Sequence, residues 1–180
     1  MKKYVDEYEI VTEEDEKGRE KRRAVYRGNY YEVEIAKISW TKFKWVNIIL
    51  LVMILSFHIA GGFINNQGMY QFFIALPYVA AFLPLYFIAT GILRIPTKKK
   101  QLRRDQVELS FERVKKASTY LLLLFGMSIL GEVIFLIFFE NKGYQMESLY
   151  LGAEFAAGFS AYILFNIQKY IQIDEIIKQK

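Results

Sequence analysis

Four stretches of about 20 nearly uninterrupted apolar residues dominate this chain: residues 45–64, 69–93, 117–139 and 148–167. At a helical rise of about 1.5 Å per residue, 20 residues cover a hydrocarbon layer about 30 Å thick. Nothing in such a layer hydrogen-bonds to an exposed amide or carbonyl, so each stretch has to be helical to satisfy its own backbone. The charged residues make up 24% of the chain against 53% apolar, and they concentrate between and outside these stretches. An ordinary water-soluble domain interleaves the two populations with helix or strand periodicity instead. The sequence therefore predicts an all-α membrane protein: a four-transmembrane-helix bundle over residues 37–180, preceded by a small polar segment, 1–36.

Lys and Arg collect on the cytoplasmic side of membrane proteins. Residues 94–116 carry nine basic against three acidic groups, and Lys37, Lys42 and Lys44 cluster just ahead of the first span. By contrast, residues 65–68 have no charge, and 140–147 hold a single basic residue, Lys142. Both termini and the 94–116 loop are thus expected in the cytoplasm, with the protein multi-pass in the cell membrane. A cleavable signal peptide is not expected, because about 40 residues of largely polar sequence precede the first apolar core.

Residues 4–36 read as a small cytoplasmic β-meander. Residues 4–12 alternate weakly, Asp15-Glu16-Lys17-Gly18 signals a turn, and 24–26 and 30–35 favour strands around Arg27-Gly28-Asn29. So short a segment buries little core alone, and docking on a partner, a second copy or the helices is expected. Its charge is nearly balanced, which gives no nucleic-acid footprint. In the long loop, Pro96 ends the second helix, and Lys98, Lys99, Lys100, Arg103 and Arg104 form a basic run suited to lipid headgroups or phosphate. Asp105 followed by Glu108 fits a capping box, so a helix is expected from about residue 105 into the third span.

Ionisable side chains inside a bilayer are costly, about 2.5–3.5 kcal/mol for a central acid or base on insertion scales. His58, Glu132 and Glu154 are such residues. Measured from the middle of each apolar stretch, all three fall about 5–6 Å outward, so one shared layer is expected. Tyr78 lies at a similar depth, Ser128 sits one turn before Glu132, and Asn47 shares a helix face with His58. These six form the expected intramembrane polar site. Two carboxyls there resist simultaneous ionisation, which suits a proton or cation site; the competing reading makes each Glu neutral glue between helices. Pro77 and Pro84 should kink the second helix. Gly152, Ala156 and Ser160, and in a second register Ala153, Ala157 and Ala161, recur at spacing four as small-residue packing stripes.

Cysteine is absent, which removes thiol chemistry, and no phosphate loop, dinucleotide fingerprint or paired-histidine metal motif occurs. Gly158-Phe159-Ser160 has the Gly-x-Ser form of a hydrolase nucleophile, but Ser160 and His58 differ in depth by about 9 Å. Neither enzyme activity nor a cofactor is expected, and the metal question stays open. The functional expectation is a small proton- or cation-linked transporter or channel-like subunit. The alternative is a non-enzymatic accessory or scaffold subunit that recruits a partner through the N-terminal region. Expected partners are membrane lipid and a second copy or another membrane protein.

Overall fold

The computed structural model describes residues 2–14, 20–36, 38–98, 101–139 and 143–176. It is mostly helical. Helix α1 runs Trp40–Gly62, and the Ser39 hydroxyl caps it by accepting the Lys42 amide at 3.4 Å. The second membrane segment consists of α2, Phe72–Ala80, and α3, Phe82–Arg94. They meet at Ala81. Pro84 has no amide to give the Ala80 carbonyl, so the break falls where the proline requires it. A short helix, α4 (Arg104–Val107), passes through one π turn, Glu108–Glu112, into α5, Arg113–Phe138. Helix α6 spans Tyr144–Ile167.

Four segments are long and apolar enough to cross a membrane: Trp40–Gly62, Phe72–Arg94, Arg104–Phe138 and Tyr144–Tyr170. Large apolar side chains also stand exposed on every one of them, among them Ile49, Leu83, Leu130 and Phe155. A water-soluble bundle rarely tolerates so continuous an apolar exterior. Helix α6 packs on α1 and α5, and α5 also packs on α2 and α3. Between them lies a core that includes Ile54, Ile88, Leu121, Phe125, Ala161 and Leu164. Gly91 lets α3 approach α5, since a Cβ there would meet Val114 Cγ2 at 2.7 Å.

The expected meander is replaced by two separate sheets. Strands β1 (Tyr8–Glu14) and β2 (Glu20–Tyr26) form a hairpin in register Tyr8↔Tyr26. Strand β3, Tyr30–Ile35, leaves that hairpin and pairs elsewhere. It lies between β4 (Leu102–Arg103) and β5 (Ile171–Ile176), antiparallel to both. Alternation explains the choice. Tyr31, Val33 and Ile35 share one strand face with Ile171 and Ile173, and this face packs onto the bundle core. Residues preceding the first span are thus stitched to residues following the last. We call this the sheet end and the opposite end, with the 63–71 connection, the loop end.

The basic loop is also reorganised. Arg103, rather than Asp105, precedes the helix, and the Gln106 side chain accepts its amide at 3.1 Å. The Arg103 guanidinium lies over the rings of Tyr8 and Tyr26, at 5.8 and 5.9 Å, and beside Asp105. Arg104 pairs with Glu7 at 3.1 Å and Glu108 at 3.0 Å. Both arginines are engaged at the junction with the N-terminal hairpin. Lys98 is exposed, and Lys99 and Lys100 lie outside the described residues.

Two phenols tighten this junction. Tyr4 donates to Glu108 at 2.8 Å, and the Tyr26 hydroxyl accepts the Arg104 amide at 3.2 Å while facing the Glu7 carboxylate at 3.1 Å. Burial, reinforced for Tyr4 by the Glu108 bond, pushes both phenols up to about 12; the Arg104 amide partly opposes this at Tyr26. A raised phenol favours the docked state in its neutral form. The stabilisation is therefore complete below pH about 10, the ordinary tyrosine range, and is lost as pH climbs to about 12. Phenolate absorbance during an alkaline titration should show a late component that Tyr4→Phe and Tyr26→Phe each diminish. Absence of that component would mean that the two rings are not held at this junction.

Candidate functional site: a buried polar column

Glu147, Tyr150, Glu154, Ala157 and Ala161 recur on α6 at spacings of three and four, so they share one face. All five are fully buried. Opposite them α5 presents Ser128 and Glu132, α1 presents His58, and α2 presents Tyr78, all buried as well. These side chains stack into tiers that descend from the loop end.

In the top tier, the Glu147 carboxylate accepts Asn66 Nδ2 at 3.0 Å, the Gln67 amide at 2.7 Å and the Gly68 amide at 3.4 Å. Glu132 reaches the same loop, its carboxyl lying against Gly68. Among the described residues, no N–H or hydroxyl donor reaches either Glu132 oxygen. Gly68 has to be small, because a Cβ there would collide with Glu132 Oε2. In the middle tier, Ser128 and Tyr150 bond through their hydroxyls at 2.9 Å.

In the lowest tier, His58 Nδ1 and Glu154 Oε1 are 2.8 Å apart, both side chains wholly inaccessible. The imidazole is packed by Tyr78, Phe82 and Phe125, with ring centroids 4.2, 4.8 and 5.2 Å away. Tyr78 donates to the His58 carbonyl at 2.9 Å, and Gly62 leaves room for that hydroxyl. His58 Nε2 and Glu154 Oε2 have no hydrogen-bond partner among the described residues. Beneath this tier the helices are closed by apolar side chains, among them Ile54, Leu121, Ala157 and Ala161.

The structure thus brings His58, Glu154 and Tyr78 together, and sets Ser128 and Glu132 above them. The single shared layer is corrected to two acidic tiers, because Glu147 and Glu154 stand seven residues, about 10 Å, apart along α6. The expected depths assumed a third helix starting at 117 and a fourth at 148. In fact α5 begins at Arg113 and α6 at Tyr144, which moves Glu132 further from its helix centre and Glu154 nearer to its own.

Asn47 is not part of the group. It bonds to its own helix at the Phe43 carbonyl and accepts from Gln168 Nε2 at 2.7 Å. Sharing a face with His58 does not offset a separation of eleven residues, about 16 Å. Of the two small-residue registers, the second is the more deeply packed. Gly152 faces open space and Ala156 is only half-buried, while the Ser160 hydroxyl bonds back to the Ala156 carbonyl at 2.8 Å. Ala157 and Ala161 are the small residues that let the helices close up.

Glu147, Tyr150 and Asn66 escaped the sequence reading, although the 147/150/154/157/161 spacing was there to find the first two. Among the described residues, no group of three or more His, Asp or Glu side chains is placed to hold a metal ion. A scan against protein-family models and searches of curated proteins and of solved structures find no match for this chain.

Proposed function

We propose that this chain is a multi-pass protein of the cell membrane, with both termini cytoplasmic, that serves as a proton-linked transport subunit. The excess of Lys and Arg at the sheet end supports the orientation, which turns the loop end outward. The observation that carries the function is the column itself. Three acids, a histidine and paired hydroxyls descend from the loop end and stop on an apolar floor. Helix-to-helix glue needs one such contact; a tiered series that starts beneath the loop end suits uptake and release of a proton.

The pairing favours a proton over a larger cation. Glu132 and Glu147 both reach the Gly68 backbone, and Glu154 faces His58, an arrangement in which each pair can take up one proton. Ser128 and Tyr150 bridge the gap with groups that both donate and accept. Glutamine keeps the shape of glutamate and cannot exchange the proton. In proteoliposomes, Glu132→Gln/Glu154→Gln should therefore reduce proton flux into the lumen, driven by an imposed potential, by at least about tenfold, the scale expected for a lost proton-transfer group. Unaltered flux in the double variant, or no flux above empty liposomes in the parent chain, would remove proton transport from consideration.

A further inference from the structure

A cleft of about 370 Å³ lies at the sheet end between the start of α5 and strand β5. Phe111, Ile171 and Ile173 make its apolar wall, Lys115 and Lys116 stand at its rim, and Gln168 forms part of its interior. We propose that this cleft binds the headgroup of an anionic, hydroxyl-bearing phospholipid of the phosphatidylglycerol type.

Three observations fix the ligand chemistry. The first is charge. Glu112 answers Lys116 at 3.2 Å, and Lys115 has no carboxylate partner among the described residues, so the rim carries a surplus positive charge. The second is depth. Lys115 and Lys116 are the last charged residues of α5 before Glu132, and therefore sit where the apolar span begins and lipid phosphates lie. The third is an unmatched acceptor. Gln168 is 1% exposed, and its Nε2 donates to Asn47 Oδ1 at 2.7 Å and the Leu164 carbonyl at 3.1 Å. Its Oε1 has no donor among the described residues, and a buried amide oxygen in that condition is costly.

A ligand that satisfies all three presents a phosphate to the lysines, a donor to Gln168 Oε1 and hydrocarbon to Ile171 and Ile173. A glycerol headgroup supplies neutral hydroxyl donors beside its phosphate. An ethanolamine or choline headgroup would bring a cation against Lys115.

The test uses the purified full-length chain, stripped of lipid in detergent and offered three lipids with the same acyl chains. Phosphatidylglycerol carries charge and hydroxyls, phosphatidylmethanol the same charge without hydroxyls, and phosphatidylcholine neither net charge nor donor. Retention read by native mass spectrometry should favour phosphatidylglycerol over phosphatidylcholine by about fivefold or more, the size of one surface lysine's contribution. It should also favour phosphatidylglycerol over phosphatidylmethanol by a few fold. Lys115→Gln/Lys116→Gln, at two exposed positions, should erase the first preference and leave thermal unfolding unchanged. Phosphatidylglycerol retained no better than either other lipid would overturn the proposal, and so would a preference that survives the double substitution.

Discussion

Glu154→Ala is expected to lower the unfolding free energy by about 3 kcal/mol, whereas His58→Leu/Glu154→Leu recovers most of that loss. The reason lies in what each change leaves behind. The alanine variant strands a fully buried imidazole whose Nδ1 has lost its partner at 2.8 Å, inside a ring of Tyr78, Phe82 and Phe125. Stranding one member of a buried pair costs about 3–5 kcal/mol in soluble proteins. The lower end applies here because polar groups in a membrane-inserted unfolded state find other partners. Replacing both members with leucine removes the stranded group and restores apolar contact with Phe125 and its neighbours. Glu154→Gln should lie close to the parent chain in stability, since an amide can still hydrogen-bond to the ring. Reversible unfolding in mixed detergent micelles measures all three. If the double variant is as unstable as the sum of its two single changes, His58 and Glu154 are not energetically coupled, and the lowest tier loses its meaning as a unit.

The helices were legible because hydrocarbon imposes a rule that needs no tertiary information: a long apolar run must satisfy its own backbone. Their ends were less legible. Trp40 and Tyr144 begin helices well before the apolar runs do, because aromatic and polar residues at an interface are compatible with helix and are not counted by a hydropathy boundary. That error had a chemical consequence. Glu147 was counted as part of an outer loop, yet it lies in the first turn of α6 and accepts three hydrogen bonds.

Depth and face were also separate questions. Asn47 has the correct face and the wrong height, while Glu132 has the correct face and a different neighbour from the one its estimated height suggested. The sheet was hidden for another reason. Ile171 and Ile173 are spaced as on one face of a strand, but no local pattern says that this strand pairs with Tyr30–Ile35, more than 130 residues earlier. The third strand of an apparent meander had a remote partner that matched its apolar face better than the adjacent hairpin did.

The second large effect is expected at the loop end, where Glu147→Ala should both destabilise the chain and open the column. The Glu147 carboxylate holds Asn66, Gln67 and Gly68 through three donors, and Glu132 meets the same loop at Gly68. Hydrogen bonds to a charged group contribute about 1.5–3 kcal/mol each. Because the three donors share one acceptor and the longest bond is weak, a loss of about 3–4 kcal/mol is expected rather than their sum. The same substitution releases the loop from the helix beside Glu132, so water entry should follow.

The chain contains no cysteine, so Ser128→Cys can report on the middle tier without any background to remove. With Glu147 in place, a membrane-impermeant thiol reagent added outside should label that position slowly, at the rate set by spontaneous loop opening. With Glu147→Ala the labelling should accelerate by at least about tenfold, as it would if roughly 1.4 kcal/mol or more of the lost stability had held the loop closed. Gly68→Ala should produce the same acceleration by a different route, since its methyl group displaces Glu132 rather than removing a hydrogen-bond acceptor. Equal labelling in all three backgrounds would mean that the loop is no lid over the column. Labelling only from the opposite side would reverse the assigned orientation while leaving the latch intact.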